Sequence, residues 1–311
     1  MERAVAQSGA ALSPRLVAVV GPTASGKSAL AMSLCRRFGG ELVSADSVQV
    51  YRRFDIGSAK PTATERAAVP HHLVDVFDPL DPVDVARFVQ LARASIDDIV
   101  ARGKRPILCG GTFLWVRALV YGLADAPAAD ESIRARHRAE AERHGRPWLH
   151  ARLLGVDPAS HARLAPNDLV RVSRALEVYE LTGKPLSAVQ AEHGFRSAAY
   201  DVQFFAVRYE RAQLAERIER RVARMFEQGW LDEVRALLRD GYGDARALRS
   251  VGYRQVADAL RSDAPLDPAA LAASVSQATR IFVRRQLTWL REEPVSWIDP
   301  ERLDDIDPFR A

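Results

Sequence analysis

Cysteine is almost missing. Cys35 and Cys109 are the only two in 311 residues, and neither sits in a Cys-x-x-Cys or Cys/His ligand spacing. That excludes a disulfide framework and a zinc module, and both read as small buried apolar side chains. Long apolar runs are missing too. Nothing approaches the roughly 18 to 20 uncharged residues of a membrane span. Met1 to Pro14 lacks the compact apolar stretch of a secretory signal, so a cytoplasmic protein with no membrane partner is expected. Charge of one sign is not in excess either: 44 Lys and Arg stand against 40 Asp and Glu, net +4, too little to argue alone for a nucleic-acid partner. No internal repeat is found, and the Ala-rich stretch 1–14 reads as a disordered tail.

What is present is the composition of a globular protein, 48% hydrophobic and 27% charged, long enough for one large or two smaller domains. Its positive charge is unevenly placed. Between Glu131 and Arg174 lie nine arginines against five acids, with four of the seven histidines, and Arg280 to Arg291 holds four arginines and no acid. Helix surfaces often carry such arginines in ion pairs, and about half of the first group reads that way.

Hydrophobic periodicity organises the chain. Leu16 to Val20, Glu41 to Ser44, His72 to Val76 and Pro106 to Cys109 read as strands, alternating with helices at Lys27 to Phe38 and Val85 to Arg102 and one after Gly110-Gly111-Thr112. After Gly122 the pattern turns helical: Glu131 to His144, Pro147 to Leu154, and Asn167 to Leu181 ending at Gly183. Gln203 to Arg208 resumes as a strand, Arg211 to Arg239 and Asp267 to Arg291 read as long helices, and Val295 to Ile298 as a last strand. The expected organisation is a parallel-sheet core over 15–122 and 203–311 with an inserted helical subdomain over 123–202.

Gly21-Pro22-Thr23-Ala24-Ser25-Gly26-Lys27-Ser28 fits Gly-x-x-x-x-Gly-Lys-Ser/Thr, placed after a strand and before a helix as that phosphate loop requires. The fold class is therefore α/β, a P-loop NTPase-like parallel sheet flanked by helices. In such a loop the backbone N–H groups and the helix N-terminus converge on one anion. Lys27 adds a mobile positive charge, and the Ser28 hydroxyl can ligate Mg²⁺. Kinases, NTPases and prenyl transferases all remain open at this point. Asp46 and Asp75, each after a short apolar strand, are candidates for the Mg²⁺-associated acid of an NTPase. Asp46 would lie at the carboxyl edge of the sheet beside the loop, either as a proton acceptor for a nucleophile or as a helix cap or outer Mg²⁺ ligand.

The chain resembles the tRNA dimethylallyltransferases, also called tRNA isopentenyltransferases, over nearly its full length. The resemblance rests on the phosphate loop, Asp46-Ser47 with Gln49 and Tyr51, Asp55-Ile56-Gly57-Ser58-Ala59-Lys60-Pro61, Pro70-His71-His72 and Gly110-Gly111-Thr112. It continues through Pro166-Asn167-Asp168, Arg171, Arg174-Ala175-Leu176-Glu177, Gly183-Lys184, Val251-Gly252-Tyr253-Arg254-Gln255 and Arg285-Gln286-Leu287-Thr288-Trp289-Leu290-Arg291. It implies transfer of the five-carbon unit of dimethylallyl diphosphate to N6 of the adenine 3′-adjacent to a tRNA anticodon, by a monomer.

On that resemblance Asp46 is the general base or hydrogen-bond acceptor for N6, and Thr23, Lys27, Ser28 and Mg²⁺ hold the leaving diphosphate. The anticodon stem-loop meets Asp46, Ser47, Val48, Gln49, Thr112 and Arg134, and then Val170, Arg171, Val172, Ser173 and Arg174. Further contacts fall on Arg249, Ser250, Val251, Gly252, Tyr253 and Arg254, and on Arg284, Arg285, Gln286, Leu287, Thr288, Trp289, Leu290 and Arg291. Thr112 reads equally as a cap, and His71 and His72 as support for the fold. The competing reading is a P-loop small-molecule or nucleotide kinase with ATP in the loop and the helical insertion as a lid. A third is an RNA-binding switch that hydrolyses NTP slowly.

Overall fold

The computed structural model describes residues 15–194 and 198–309; the tail expected at 1–14 lies outside them. Six strands form one wholly parallel sheet: β1 (Arg15–Val20), β2 (Gly40–Ala45), β3 (His71–His72), β4 (Arg105–Gly110), β5 (Asp201–Val207) and β6 (Val295–Ile298). Their order is β3-β2-β4-β1-β5-β6. β1 is central and apolar on both faces, with Leu16 to Ala18 wholly inaccessible, as a strand covered by helices on each side must be. Strands from both ends of the chain thus share one sheet, whose carboxyl edge collects the ends of β1, β2 and β4.

Helices α1 (Lys27–Phe38), α2 (Ala63–Ala68), α3 (Val85–Ala101) and α4 (Phe113–Tyr121) join the first strands. The chain divides into two compact units at Val120/Tyr121 and Ala198/Ala199, a few residues ahead of the sequence-derived boundaries. The enclosed unit holds α5 (Glu131–His144), α6 (Arg146–Ala151), α7 (Leu153–Val156), α8 (Pro158–Arg163), α9 (Leu169–Thr182) and α10 (Leu186–His193). Its own core is built from Ala141, Leu149, Leu153, Leu164, Val172, Ala175 and Leu176. Back in the sheet unit follow α11 (Arg211–Glu227), α12 (Trp230–Arg239), α13 (Tyr253–Arg261) and α14 (Pro268–Leu290).

Three expected elements come out differently. The strand expected at His72 to Val76 ends at His72, because Leu73 and Asp75 take left-handed backbone (φ 63° and 60°). Asp75 N–H donates to the Gln49 carbonyl (3.1 Å) and Val76 N–H to that of Val50 (2.9 Å), so the segment braces the turn after β2. The single helix expected over Arg211 to Arg239 is broken at Gly229 (φ 91°), a left-handed position that glycine tolerates, and this sends Trp230 into the core. The Pro147 to Leu154 helix is likewise two short ones, α6 and α7.

Candidate active site

The loop Gly21–Ser28 leaves β1 at the centre of the carboxyl edge and enters α1. Gly21 must stay bare, since a Cβ there would lie 2.8 Å from Ser25 Oγ, while Ala24 and Gly26 take positive φ (68° and 84°) to curl the backbone. Ser25 N–H closes the turn on the Pro22 carbonyl (3.2 Å), and Lys27 Nζ lies 3.5 Å from that same oxygen. Arg217 of α11 holds the outer rim, its Nε donating to the Ala24 carbonyl at 2.8 Å.

Asp46 follows β2 at the same edge. Its Oδ1 accepts Val48 N–H (2.9 Å) and Gln49 N–H (3.2 Å), which folds residues 46–49 into a turn. Among the described residues Oδ2 makes no hydrogen bond, and Asp46 lines a cavity of about 450 Å³. No helix starts at Asp46, so the helix cap expected as its alternative role is instead an Asx-type turn, and the second carboxylate oxygen is left without a hydrogen bond. Across the turn, Thr112 Oγ1 accepts Ser47 N–H (3.1 Å), and Thr112 N–H donates to the Ala45 carbonyl (3.3 Å). The double glycine before it is a packing necessity: a Cβ on Gly110 would meet Ala45 O at 2.2 Å, and one on Gly111 would meet Gln286 Nε2 at 2.7 Å.

The cavity brings together Thr23, Lys27, Asp46, Ser47, Val48, Thr112, the stretch Arg249–Arg254, Arg285 and Gln286. Its apolar side is Val222, Met225, Trp230 and Phe282. Trp230 is pressed between Gly57 and Gly252, where added Cβ atoms would come within 2.1 and 2.5 Å of its ring. Tyr253, expected to touch RNA, is 1% exposed and donates its hydroxyl to Glu233 Oε1 (2.6 Å), so it is a wall of this cavity. Glu233 also accepts the N–H groups of Asp55 (2.9 Å) and Ile56 (2.6 Å), which fixes the Asp55-to-Pro61 loop opposite. Gln49 stays out of the cavity, spending its amide on the Ser58 and Ala59 carbonyls (3.1 and 3.2 Å).

Along α14, Arg284, Arg285, Thr288 and Trp289 are exposed and Arg291 follows exposed beyond the helix, whereas Leu287 is half-buried and Leu290 buried. Within the helical unit, Val170 and Arg171 face outward, but Val172 (1% exposed) and Ser173 (6%) are core, and Ser173 Oγ pairs with His137 Nδ1 at 3.0 Å. Arg134 and Arg174 are spent on the fully buried Glu177, Arg134 through a paired contact at 2.9 Å on each arm. Of the stretch 170–174, Val170 and Arg171 are thus the residues whose side chains are exposed at the surface. His72 pairs with Glu41 (2.7 Å) and His71 with the Val69 carbonyl (2.6 Å), the supporting role expected of them.

Sequence reasoning missed a second basic element. Arg217, Arg220, Arg221 and Arg224 recur at helical spacing along α11 and line a cavity of about 960 Å³ that also reaches Gly26, Lys27 and Ser28. The repeat was legible, but α11 carries enough acids to read as an ordinary solvated face. Burial pushes the Lys27 ammonium below its usual range; Arg221 adds to that, and Cys109 and Asp46 oppose it. Burial lowers Arg221 likewise, against Asp46. Two cations desolvated side by side form a site that an anion of high charge would relieve. Cys109 lies beneath, its thiol pushed up to about 11 by burial, and is a neutral floor.

Among the described residues no cluster of three or more His, Cys, Asp or Glu could cage a metal, and no helix is long and apolar enough to cross a membrane. A family model described as IPP transferase matches residues 49–293, and one described as Isopentenyl transferase matches 14–71. The chain is 61% identical over 283 residues to the tRNA dimethylallyltransferase of Sorangium cellulosum, covering 91% of this chain and 90% of that one. It is 48% identical to tRNA dimethylallyltransferase 1 of Pelobacter propionicus, over 94% and 95% of the two chains. Among solved structures it resembles the full-length tRNA isopentenylpyrophosphate transferase of Bacillus halodurans (TM-score 0.66, 38% identity, 94% of this chain and 91% of that). It also resembles a eukaryotic dimethylallyltransferase captured acting on tRNA (TM-score 0.76, 25% identity, 92% and 74%). With a family model spanning most of its length and relatives this similar end to end, the chain belongs to the IPP transferase family.

Proposed function

We propose that the chain transfers the dimethylallyl group of dimethylallyl diphosphate to N6 of the adenine 3′-adjacent to the anticodon of tRNA, releasing diphosphate. The observation that carries this is the single cavity in which Lys27 and Thr23 of the phosphate loop face Asp46 and Thr112, with Arg249, Arg254 and Arg285 around it. A second, strongly basic cavity reaches the same loop from α11. Donor and acceptor can therefore approach from separate sides, the adenine after being flipped out of its stack.

In the reaction the bond from the allylic carbon to the diphosphate oxygen breaks and the bond to N6 forms. The allylic carbon carries developing positive charge, so the larger electrostatic task is to hold the departing diphosphate. Lys27, Arg221 and the loop amides are placed for that. Asp46 Oδ2 receives the N6 proton while Oδ1 keeps the turn. The exposed Ser28 hydroxyl suits a hard cation that keeps its waters and binds mainly through phosphate oxygens. Mg²⁺, when bound there through Ser28, would neutralise diphosphate charge. The tRNA substrate supports a cytoplasmic setting. No observation favours the kinase reading.

The test is incubation with labelled dimethylallyl diphosphate, Mg²⁺ and an unmodified anticodon stem-loop. Label is expected on the adenine 3′ of the anticodon and not on a stem-loop carrying guanine there. Label absent from both, or phosphate moving from ATP to a small acceptor, would contradict the proposal.

A further inference from the structure

Gln286 lies in the basic run of α14 beside the exposed Arg284 and Arg285, a company that groups it with RNA contacts. Its side chain is turned the other way, 4% exposed. Oε1 accepts Thr23 N–H at 2.9 Å, and Nε2 donates to the Gly111 carbonyl at 3.0 Å. Both partners are backbone groups of fixed sense, so the amide can sit only one way: reversed, it would set donor against donor and acceptor against acceptor. Thr23 belongs to the phosphate loop and Gly111 to the turn that follows β4, so one side chain ties two loops of the site to α14. The contact is close: a Cβ at position 111 would lie 2.7 Å from Nε2 and would push the amide out of this position.

We infer that Gln286 is a positioning residue of the phosphate loop and not an RNA contact, holding the turn at Thr23 in the form that presents its neighbouring amides to diphosphate. The inference rests on the reading of that loop as a diphosphate cradle. Removing the amide takes the partner from the part-buried Thr23 N–H and from the buried Gly111 carbonyl, and the turn relieves this by reorienting. Binding strength that depended on preorganised amides falls with it. The RNA-facing side of α14, including Arg284, is left as it was.

The variant is Gln286→Met, close in shape and lacking polar atoms. Magnesium pyrophosphate binding is followed by calorimetry, anticodon stem-loop binding by fluorescence anisotropy, and donor KM and kcat by label transfer. Pyrophosphate affinity should fall and donor KM rise about tenfold or more, the scale of two lost hydrogen bonds, with stem-loop affinity within about twofold of the parent. Weakened stem-loop binding with pyrophosphate binding intact would overturn the inference; so would no change in either, or equal loss of both. Amide exchange in the unmutated protein provides a reading independent of folding: Thr23 N–H should be protected, and fast exchange would refute the clamp. Failure of the parent to bind pyrophosphate, or equal binding by Lys27→Ala, would instead sink the diphosphate reading.

Discussion

In the proposed reaction Asp46 has two separable duties, and two substitutions pull them apart. Oδ1 organises the turn by accepting from Val48 and Gln49, whereas Oδ2 is free for the acceptor amine. Asp46→Asn keeps an oxygen for the turn but places an NH₂ where the carboxylate stood, so it can no longer take a proton from N6. Asp46→Ala removes both functions. Loss of general-base assistance should lower kcat by on the order of 10² to 10⁴ in either variant. Losing the turn bonds as well should cost Asp46→Ala about 1 kcal/mol, seen as a Tm lower by about 2 to 4 °C for a domain of this size. Asp46→Asn should melt within about 1 °C of the parent by the same reasoning. Single-turnover label transfer to a saturating stem-loop, with calorimetric melting of each variant, measures both. Were Asp46→Asn to react at the parent rate while Asp46→Ala did not, Asp46 would be a turn residue and the proton would go elsewhere.

Lys27→Ala should raise donor KM by about tenfold or more, the loss of one charge-assisted contact to diphosphate, with stem-loop affinity unchanged; steady-state kinetics and anisotropy check each half. Arg221→Ala should do the same, since Arg221 borders both the basic cavity and the one holding Lys27 and Asp46, and a lost stem-loop affinity instead would move it to the RNA side. Glu41 is held at a pKa of about 2 by its hydrogen bond from Arg102, against burial and with help from His72. Its folded pKa lies below the unfolded value, so its stabilisation is full above about pH 4.5 and disappears as pH falls towards 2. Glu41→Gln should therefore lose about 1 to 2 kcal/mol at pH 7, a figure reduced because Arg102 is partly exposed, and progressively less below pH 4. Urea unfolding at both pH values reads this, and a pH-independent difference would contradict it. Glu177→Gln should loosen α5 from α9, where the carboxylate accepts from Arg134, Arg174 and Asp130 N–H. The expected cost is about 2 to 3 kcal/mol, visible as faster amide exchange in both helices.

Much of this was legible in the sequence because the signals were local. The phosphate loop is specified by its own glycines, Lys27 and Ser28, and the β1-loop-α1 unit matches its expected limits. Asp46 was placed correctly at the carboxyl edge by strand position alone. What escaped depended on tertiary choices. The apolar run His72 to Val76 looked like a strand, yet its left-handed residues serve the turn after β2. Gly229 reads as an ordinary helix glycine until Trp230 is seen filling the space beside Gly57 and Gly252. Gln286 follows the exposed Arg284 and Arg285, and Val172 the exposed Val170 and Arg171, and only packing reveals that these two face inward. The α11 arginines needed the cavity before their spacing meant anything.

In the proposed reaction one cradle lets go of a whole diphosphate as an adenine gains a prenyl group. The most direct measurement follows both products in one reaction: pyrophosphate by enzyme-coupled assay, and N6-prenylated adenosine by mass spectrometry of the digested stem-loop. Equal amounts appearing together, both abolished by Lys27→Ala, is the predicted result. Diphosphate appearing without modified adenosine, or inorganic phosphate in its place, would contradict the account.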